Sequence, residues 1–532
     1  MNKYCLLLGV SALSMNAFAA KPKQPNIIFI MSDDHTSKAI GAYGSRLAGL
    51  NPTPTIDRIG NEGIIFNNAF CTNSISTPSR ACIISGQYGH KTGVYDLSNP
   101  LSIDKQYLPI EMKKLGYQTA IIGKWHLHNP PEQFDYYNVF YGQGDYFDPI
   151  LGEKNSKDSM MINYFGERKM RPAKKYKGHS SDIVTDLTLD WLKNKRKKNQ
   201  PFFLMHHFKA PHDKFEYHPR YEEYLKDVFI PEPESMWDNK NNGSAAVHGV
   251  NNTWINIIGT SVGKRNKLNN MGVALQIDPS LSDKEYKRAA YQKYLKSYLR
   301  CVKGVDDNVK RLFDYLEKEG LMDNTIIVYT GDQGFMLGEH DYIDKRWMYE
   351  ECMRMPFMVR YPKKIKGGIK TDAIVNNVDY APTIISLAGG EVPEYMQGDS
   401  FKELLYTGQE PKGWKQATYY RYWMHMIHHY NPGHFGIRTK DYKLIFFYGC
   451  DYTKRDKGNK QYYMSTFNTE PGWEFYDLRK DPKEMNNCYN DPAYKDIIAK
   501  LKTDLKALRA EVGEDDSQFP QIQERIDANW NK

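Results

Sequence analysis

Short apolar runs recur along the first three quarters of the chain, each about the length of one strand and each bounded by polar or glycine-rich residues. They fall at residues 26–31, 119–123, 202–207, 325–330 and 357–360. A continuous apolar run of this length fits a strand buried on both faces. Between the runs, apolar residues return at helical spacing, as in 183–197 and the long stretch 284–319. Strands alternating with helices predict an α/β fold, a mostly parallel mixed sheet sandwiched by helices. The basic run at 193–198 closes one helix, where a solvated last turn complements the helix dipole. Residues 237–270, rich in Asn and Gly, read as a long surface insertion. Past residue 390 the texture changes. Tyr, His and Asn crowd 419–434, alternating strands fall at 435–438 and 443–447, and a helix is predicted over about 493–512. This predicts a smaller α+β C-terminal domain with a short antiparallel sheet. The organisation is then a leader over 1–20, a large domain over 21–395 and a smaller domain over 396–532.

The 532 residues are 40% hydrophobic and 26% charged, which excludes a disordered or fibrous chain. The net charge of +8, from 72 basic and 64 acidic residues, is too small and too dispersed for nucleic acid but tolerates an anionic substrate. Aromatic residues reach 13%, with 39 Tyr and 9 Trp, which suits contact with glycans or protein. The chain opens Met-Asn-Lys, continues with an apolar run over 5–15 and reaches Ala17-Phe18-Ala19-Ala20. A basic start, a short apolar core and an A-x-A site predict a secretory signal peptide, hence an exported, periplasmic or secreted protein. No later segment is long and apolar enough to span a bilayer. Past the leader six cysteines remain, at 71, 82, 301, 352, 450 and 488. Their irregular spacing reads as buried thiols rather than a disulfide framework.

In an open α/β sheet, ligands bind beyond the carboxyl ends of the strands, and four predicted strands run into polar, reactive residues there. The first reaches Ser32-Asp33-Asp34-His35, the second Lys124-Trp125-His126, the third Pro211-His212 and the fourth Gly331-Asp332-Gln333-Gly334. A turn or helix cap accounts for any one of these alone; four together carry a different reading. Asp33, Asp34, Asp332 and Gln333 offer three carboxylates and an amide carbonyl. Hard oxygen ligands suit Ca²⁺ or Mg²⁺ rather than zinc, and a carboxylate-dense, flexible set favours Ca²⁺. Lys124, His126, His212 and Lys345 add cations and imidazoles, making a site for a sulfate or phosphate ester. His35, His206 and His207, beside these motifs, are assigned supporting or packing roles.

The segment Ser76-Thr77-Pro78-Ser79-Arg80 precedes the apolar residues 81–84 and then Ser85-Gly86. Pro78 fits the first turn of a helix, so Ser76 sits at a helix N-terminus where free N–H groups favour an anion. Arg80, one turn in, is placed to steady whatever forms there. On local grounds an ordinary helix cap is the competing reading.

Ser76-x-Pro78-Ser79-Arg80, followed by Ile83-Ile84 and Ser85-Gly86-Gln87-Tyr88, resembles the (C/S)-x-P-(S/A)-R motif of the formylglycine-dependent, type I sulfatases of the alkaline phosphatase superfamily. The other landmarks keep that family's order: Asp33-Asp34, Gly123-Lys124-Trp125-His126, Pro211-His212 and Gly331-Asp332-Gln333-Gly334. Leu337-Gly338-Glu339-His340, Lys345, Tyr349-Glu350-Glu351 and Arg354-Met355-Pro356 follow, and Phe475-Tyr476-Asp477-Leu478 and Asp481-Pro482 resemble the C-terminal segment. The chain carries Ser rather than Cys at the modified position, and Gln333 where many members have Asn or His.

The resemblance implies an alkaline-phosphatase-like fold and a mechanism. Ser76 is oxidised to formylglycine by an anaerobic sulfatase-maturating enzyme before export. One hydroxyl of the hydrated aldehyde attacks sulfur, helped by the metal and Asp332, while His212 or Lys345 protonates the leaving sugar oxygen. His126 deprotonates the second hydroxyl, which expels sulfate, and Arg80 and Lys124 hold the diol and neutralise charge.

Export and abundant aromatics point to a sulfated carbohydrate as substrate. Asp344 and Arg346 flank Lys345, so they are placed near the leaving sugar and suited to paired hydroxyl contacts. Arg421-Tyr422-Trp423, His428-His429 and His434-Phe435-Gly436 are the other candidates, with His434 assigned to substrate, although an inter-domain contact explains this stretch equally well. Asp344-Lys345-Arg346 with 421–434 is similar to bacterial exo-acting sulfatases of N-acetylglucosamine 6-sulfate, and glycosaminoglycan or mucin-type glycans are the implied source. A phosphonate or phosphate ester hydrolase with the same site, and a non-catalytic binder of sulfated glycans with unmodified Ser76, are the alternatives.

Overall fold

The computed structural model describes residues 24–164, 167–237, 242–250, 261–263, 269–270, 273–453 and 463–532. The leader at 1–20 and much of the insertion at 237–270 lie outside the described residues.

Ten strands form the central sheet: β1 (Asn26–Ser32), β2 (Ile64–Phe70), β3 (Gln118–Lys124), β4 (Tyr136–Phe140), β5 (Ile150–Glu153), β6 (Lys174–Lys175), β7 (Phe202–Phe208), β8 (Thr325–Gly331), β9 (Phe357–Arg360) and β10 (Ile369–Asn376). Their order is β10-β2-β9-β8-β1-β7-β3-β4-β5-β6. Strands β8, β1, β7, β3 and β4 run parallel, and β9, β5 and β6 pair antiparallel to their neighbours. β1 sends Ile27, Phe29 and Met31 into the core on one face, and Ile28 and Ile30 into the core on the other. That period-two alternation is why the strand reads as an unbroken apolar run.

Helices cover both faces. The helix Asp283–Lys318, started by a capping box between Ser282 and Glu285, lies against one face. The helices Ser76–Ser85, Tyr107–Lys114 and Tyr380–Leu387 lie on the other. The helix predicted over 183–197 is Ser180–Asp190, continued by a single wide turn at Trp191–Lys195. The five predicted strands are all present, and β2, β4, β5, β6 and β10 join them. β2 escapes the apolar-run criterion because Asn67 and Asn68 interrupt it, and β10 because its first half alternates between buried and exposed residues.

A separate antiparallel sheet follows: β11 (Ala417–Tyr422), β12 (His434–Thr439), β13 (Tyr442–Phe447) and β14 (Gly472–Asp477). The helices Lys495–Glu511 and Pro520–Asn529 pack on it through Leu501, Leu505, Ile522 and Ile526. All six cysteines of the described residues are free thiols, five of them buried. No helix among the described residues is long and apolar enough to cross a membrane.

Glu474 of β14 links the small sheet to the connection between β8 and β9 through Tyr349. Its carboxyl meets the hydroxyls of Ser244 at 2.8 Å, Tyr349 at 2.9 Å and Tyr476 at 3.0 Å. Burial raises this carboxyl to about 7, against 4.5 for an ordinary glutamate. A raised carboxyl keeps its proton in the folded state after the unfolded chain has lost it. Its contribution to stability is therefore full below pH ~4.5 and falls away as pH rises to about 7, by about 3 kcal/mol. The variant Glu474→Gln, which cannot ionise, is expected to gain stability over the parent between pH 5 and 8 in denaturant titrations. A constant difference across that range removes Glu474 as the source.

Candidate active site

The parallel strands end along one edge, and the candidate metal ligands and catalytic groups singled out from the sequence gather there. β1 delivers Asp33 and Asp34, β8 delivers Asp332 and Gln333, β3 ends on Lys124 with His126 just beyond, and β7 leads to Lys209 and His212. β2 leads through residues 71–75 into the helix Ser76–Ser85, which starts at Ser76 after the extended residue Ile75. Gly123, with φ +108°, lets β3 approach β7, since a Cβ there would stand 1.8 Å from the His207 carbonyl. Asp34 (φ 62°), His126 (φ 57°) and Arg346 (φ 90°) are non-glycine residues held in the left-handed region, a cost met where side chains must point inward. The Tyr298 hydroxyl fixes the Asp34 backbone, donating to its carbonyl at 2.7 Å while accepting from Thr36 N–H at 3.1 Å.

Asp33, Asp34, Asp332 and Gln333 are all fully buried. The Asp34 N–H donates to Asp332 Oδ1 at 3.1 Å, and Gln333 Nε2 donates to Asp34 Oδ1. Three cations answer the three carboxylates. Arg80 Nε meets Asp332 Oδ2 at 3.0 Å, Lys345 Nζ meets Asp34 Oδ2 at 2.5 Å, and Lys124 Nζ pairs with Asp33. Ser76 Oγ donates to Asp33 Oδ1 at 3.3 Å. The carboxylate beside the position-76 hydroxyl is thus Asp33, whereas Asp332 is engaged by Arg80 and the Asp34 N–H.

The donor set fits a hard divalent cation. Gln333 Oε1 is buried with no partner, and oxygens of Asp33 and Asp34 stand within 4.8 Å of each other and of a His212 ring nitrogen. Burial pushes the Asp34 carboxyl up to about 7, and the Asp332 carboxylate adds to the rise. That is the mark of an acidic cluster that prefers a proton or a cation to its own charge.

Two imidazoles differ sharply in setting. Burial, then Lys124 and Arg80, hold His126 well below the ordinary histidine value, so it is neutral. His212 Nδ1 lies 2.5 Å from the Asp213 carboxylate, which leaves Nε2 facing Asp34 Oδ2 at 3.8 Å. Burial brings His212 down to about 3. Burial also pulls on Lys345, but the Asp34 and Asp344 carboxylates outweigh it and raise its pKa, keeping the ammonium charged.

A cavity of about 350 Å³ opens here, lined by Ser76, His212 and Lys345 together with Asp344, Arg346, His428 and His429. Asp344 Oδ2 accepts from Arg346 Nε at 3.2 Å and from His429. Asp344 Oδ1 and Arg346 Nη1 have no protein partner. His434 does not line this cavity. It is buried beneath, stacked on Tyr420 with ring centroids 5.6 Å apart and bonded through Nδ1 to the Pro432 carbonyl at 2.8 Å. Arg421 is likewise structural, pairing with Glu514 at 2.6 Å and Asp516 at 2.7 Å. Both residues are therefore structural, through contacts within 396–532, and His428 and His429 are the ones that reach the cavity.

His35 bonds Tyr329 at 2.5 Å, His206 bonds Thr188 at 2.8 Å, and His207 bonds the Lys124 carbonyl at 3.0 Å, each beside the site rather than in it. Lys209, just beyond β7, escaped the sequence reading, as did two further groups. Asp213 orients His212, and its adjacency to Pro211-His212 was a usable signal. Gln143, whose Oε1 accepts from Lys124, comes from an irregular loop with no pattern to mark it.

Comparison with known proteins agrees with this geometry. The sulfatase family model matches residues 25–390, and the C-terminal model of N-sulphoglucosamine sulphohydrolase matches 338–511. An N-acetylglucosamine-6-O-sulfatase of Bacteroides thetaiotaomicron is 39% identical over 96% of this chain and 90% of its own length. A solved structure in complex with its substrate, D-glucosamine-2-N,6-O-disulfate, is 38% identical, covers 93% of this chain and 100% of its own, and has a TM-score of 0.75. A phosphonate monoester hydrolase from Silicibacter pomeroyi, 20% identical over 92% of this chain and 95% of its own, shares the fold with a TM-score of 0.68. The chain belongs to the sulfatase family and is an enzyme that hydrolyses sulfate esters.

Proposed function

We propose that this enzyme removes the 6-sulfate of N-acetylglucosamine-type sugars from sulfated glycans, using formylglycine made from Ser76 and a calcium ion held by Asp33, Asp34, Asp332 and Gln333. The observation that carries the reading is the cavity itself, which Ser76 lines together with Lys345, His212, Asp344 and Arg346. The relatives that act on 6-sulfated glucosamines support the choice of sugar.

A serine hydroxyl is a weak nucleophile whose sulfate ester is hard to break. Formylglycine at position 76, beside Asp33, Arg80 and Lys124, would when hydrated offer two hydroxyls, one as nucleophile toward sulfur and one whose deprotonation would let sulfate leave without attack by water. Calcium, when bound, polarises the sulfate oxygens as a Lewis acid. The protein does the rest. Asp33 accepts the hydrogen bond of the position-76 hydroxyl, and Arg80 and Lys124 balance the charge that develops beside it. Lys345, charged at neutral pH, donates a proton to the leaving sugar oxygen, with His212 Nε2, oriented by Asp213, beside it. Neutral His126 takes the proton of the second hydroxyl. Asp344, Arg346, His428 and His429 bind the sugar hydroxyls, since a buried carboxylate and guanidinium discriminate strongly against a sugar that leaves them unpaired. The serine at position 76 requires the anaerobic maturating enzyme before export to the periplasm or beyond.

Sulfate release from a panel of monosaccharides, with protein from the native host, tests the substrate. Release from N-acetylglucosamine 6-sulfate, and much less from 3-sulfated glucosamine or sulfated galactose, is the expected result. Preference for an aryl phosphonate or for another sugar sulfate overturns it.

A further inference from the structure

The free edge of the large sheet is strongly cationic, and it is continuous with the cavity wall. Between residues 169 and 177 the chain carries Lys169, Arg171, Lys174, Lys175 and Lys177 and no acidic residue. Lys174, Lys175 and Lys177 are exposed, and no carboxylate pairs with them among the described residues. Asp158, whose carbonyl accepts from the Ala173 N–H at 3.1 Å, is among the described residues the one acid bonded to this segment's backbone from the strand side, and it leaves the three lysines in excess. Two further acids are engaged elsewhere. Asp148 accepts from the Gly178 N–H at 2.7 Å, and Glu153 pairs with Lys195 at 3.3 Å.

The register fixes where this edge lies. β4 runs parallel to β3, so its carboxyl end is on the site side. β5 runs back from that side, and Ile150, its first residue, pairs with Lys175 of β6. Asp145 and Tyr146, four or five residues before Ile150, line the cavity. From there the backbone pairs continuously with the basic segment: Ser180 N–H to Tyr146 O at 2.7 Å, Asp148 N–H to Gly178 O at 2.8 Å, Tyr176 N–H to Pro149 O at 3.0 Å. Four residues of chain span at most ~14 Å, so Lys175 and Lys177 stand within that reach of the wall, one strand spacing to its side. Lys209 and Lys214 line the cavity together with Asp145, Asp213 and Glu216, so the excess of positive charge belongs to the edge rather than to the wall.

We infer that this cationic edge is a docking site for the anionic remainder of the substrate chain, sulfated and carboxylated saccharides beyond the sugar that enters the cavity. The inference rests on the reading of the cavity as a sulfated-sugar site. It selects, among sulfated glycans, those that stay charged past the terminal sugar, because a neutral chain gains nothing from unpaired lysines. Exposed pairs are individually weak and screened by salt, so the effect comes from several acting together on a polyanion.

The triple variant Lys174→Ala/Lys175→Ala/Lys177→Ala, its Lys→Arg counterpart and the parent are to be compared on N-acetylglucosamine 6-sulfate and on a heparin hexasaccharide ending in a 6-sulfated glucosamine. The expected result is a kcat/KM on the monosaccharide within about twofold for all three proteins. KM for the hexasaccharide rises about tenfold in the alanine variant at low salt, stays at the parent value in the arginine variant, and converges at ~1 M salt, where charges are screened beyond ~3 Å. Retention on immobilised heparin gives a readout independent of turnover, with the alanine variant eluting at lower salt. Equal hexasaccharide KM and equal elution for the alanine variant and the parent overturn the inference, as does an equal loss on both substrates. A parent that turns over neither sugar but keeps the elution difference contradicts the reading of the cavity and upholds the edge.

Discussion

Ser76→Ala is expected to fold, to bind sulfated sugar and to release no sulfate, with a fall in kcat of at least about 10⁴-fold, the scale seen when the nucleophile of a concerted set is removed. The side chain removed is small, and its Oγ makes one hydrogen bond of 3.3 Å, to Asp33. Loss of that bond costs about 1 kcal/mol of stability, so the variant remains folded at room temperature. Calorimetric binding and turnover on the same preparation separate the two effects. Affinity within a few-fold of the parent, with no turnover, places Ser76 in the chemistry. Affinity lost together with turnover makes Ser76 a support of the cavity, through its bond to Asp33, rather than a reacting group.

The second large effect is expected from the metal. Chelation should abolish turnover by about 10³-fold or more, with Ca²⁺ restoring it and Mg²⁺ restoring less, because Mg²⁺ demands near-ideal octahedral geometry and keeps its waters. The pH dependence of stability supplies an independent check. Burial raises Asp34 to about 7, against 3.8 for an ordinary aspartate. Without a cation, the stability contributed by its proton is therefore full below pH ~4 and is lost as pH rises through 7. The thermal stability of chelated protein should fall from pH 5.5 to 8 while that of calcium-loaded protein changes less, so the gap between them widens. A gap that is constant with pH contradicts cation binding at Asp34.

The core of the molecule was legible because burial on both faces writes itself as unbroken apolar runs. β1, β3, β7 and β8 are such strands, and their carboxyl ends carry the reactive residues. Strands at the sheet margins were not legible: β6 has two residues, both exposed lysines, and looks like loop. The clustering of Asp33, Asp332, Arg80 and Lys124 followed from strand order together with motif order, since parallel strands bring their ends to one edge. The sugar side of the site was only half legible. His428, His429 and His434 lie within seven residues of each other, yet only the first two reach the cavity. His434 opens β12, where the strand carries it under Tyr420 and Tyr422. Neither composition nor spacing distinguishes a histidine at a strand end from one in the turn before it.

Intact-peptide mass spectrometry of the Ser76 peptide, from native-host protein that releases sulfate, tests the central claim most directly. The account predicts a peptide lighter by two hydrogens than the encoded sequence, in proportion to the active fraction of the sample. A fully active preparation whose Ser76 peptide has its encoded mass would contradict it.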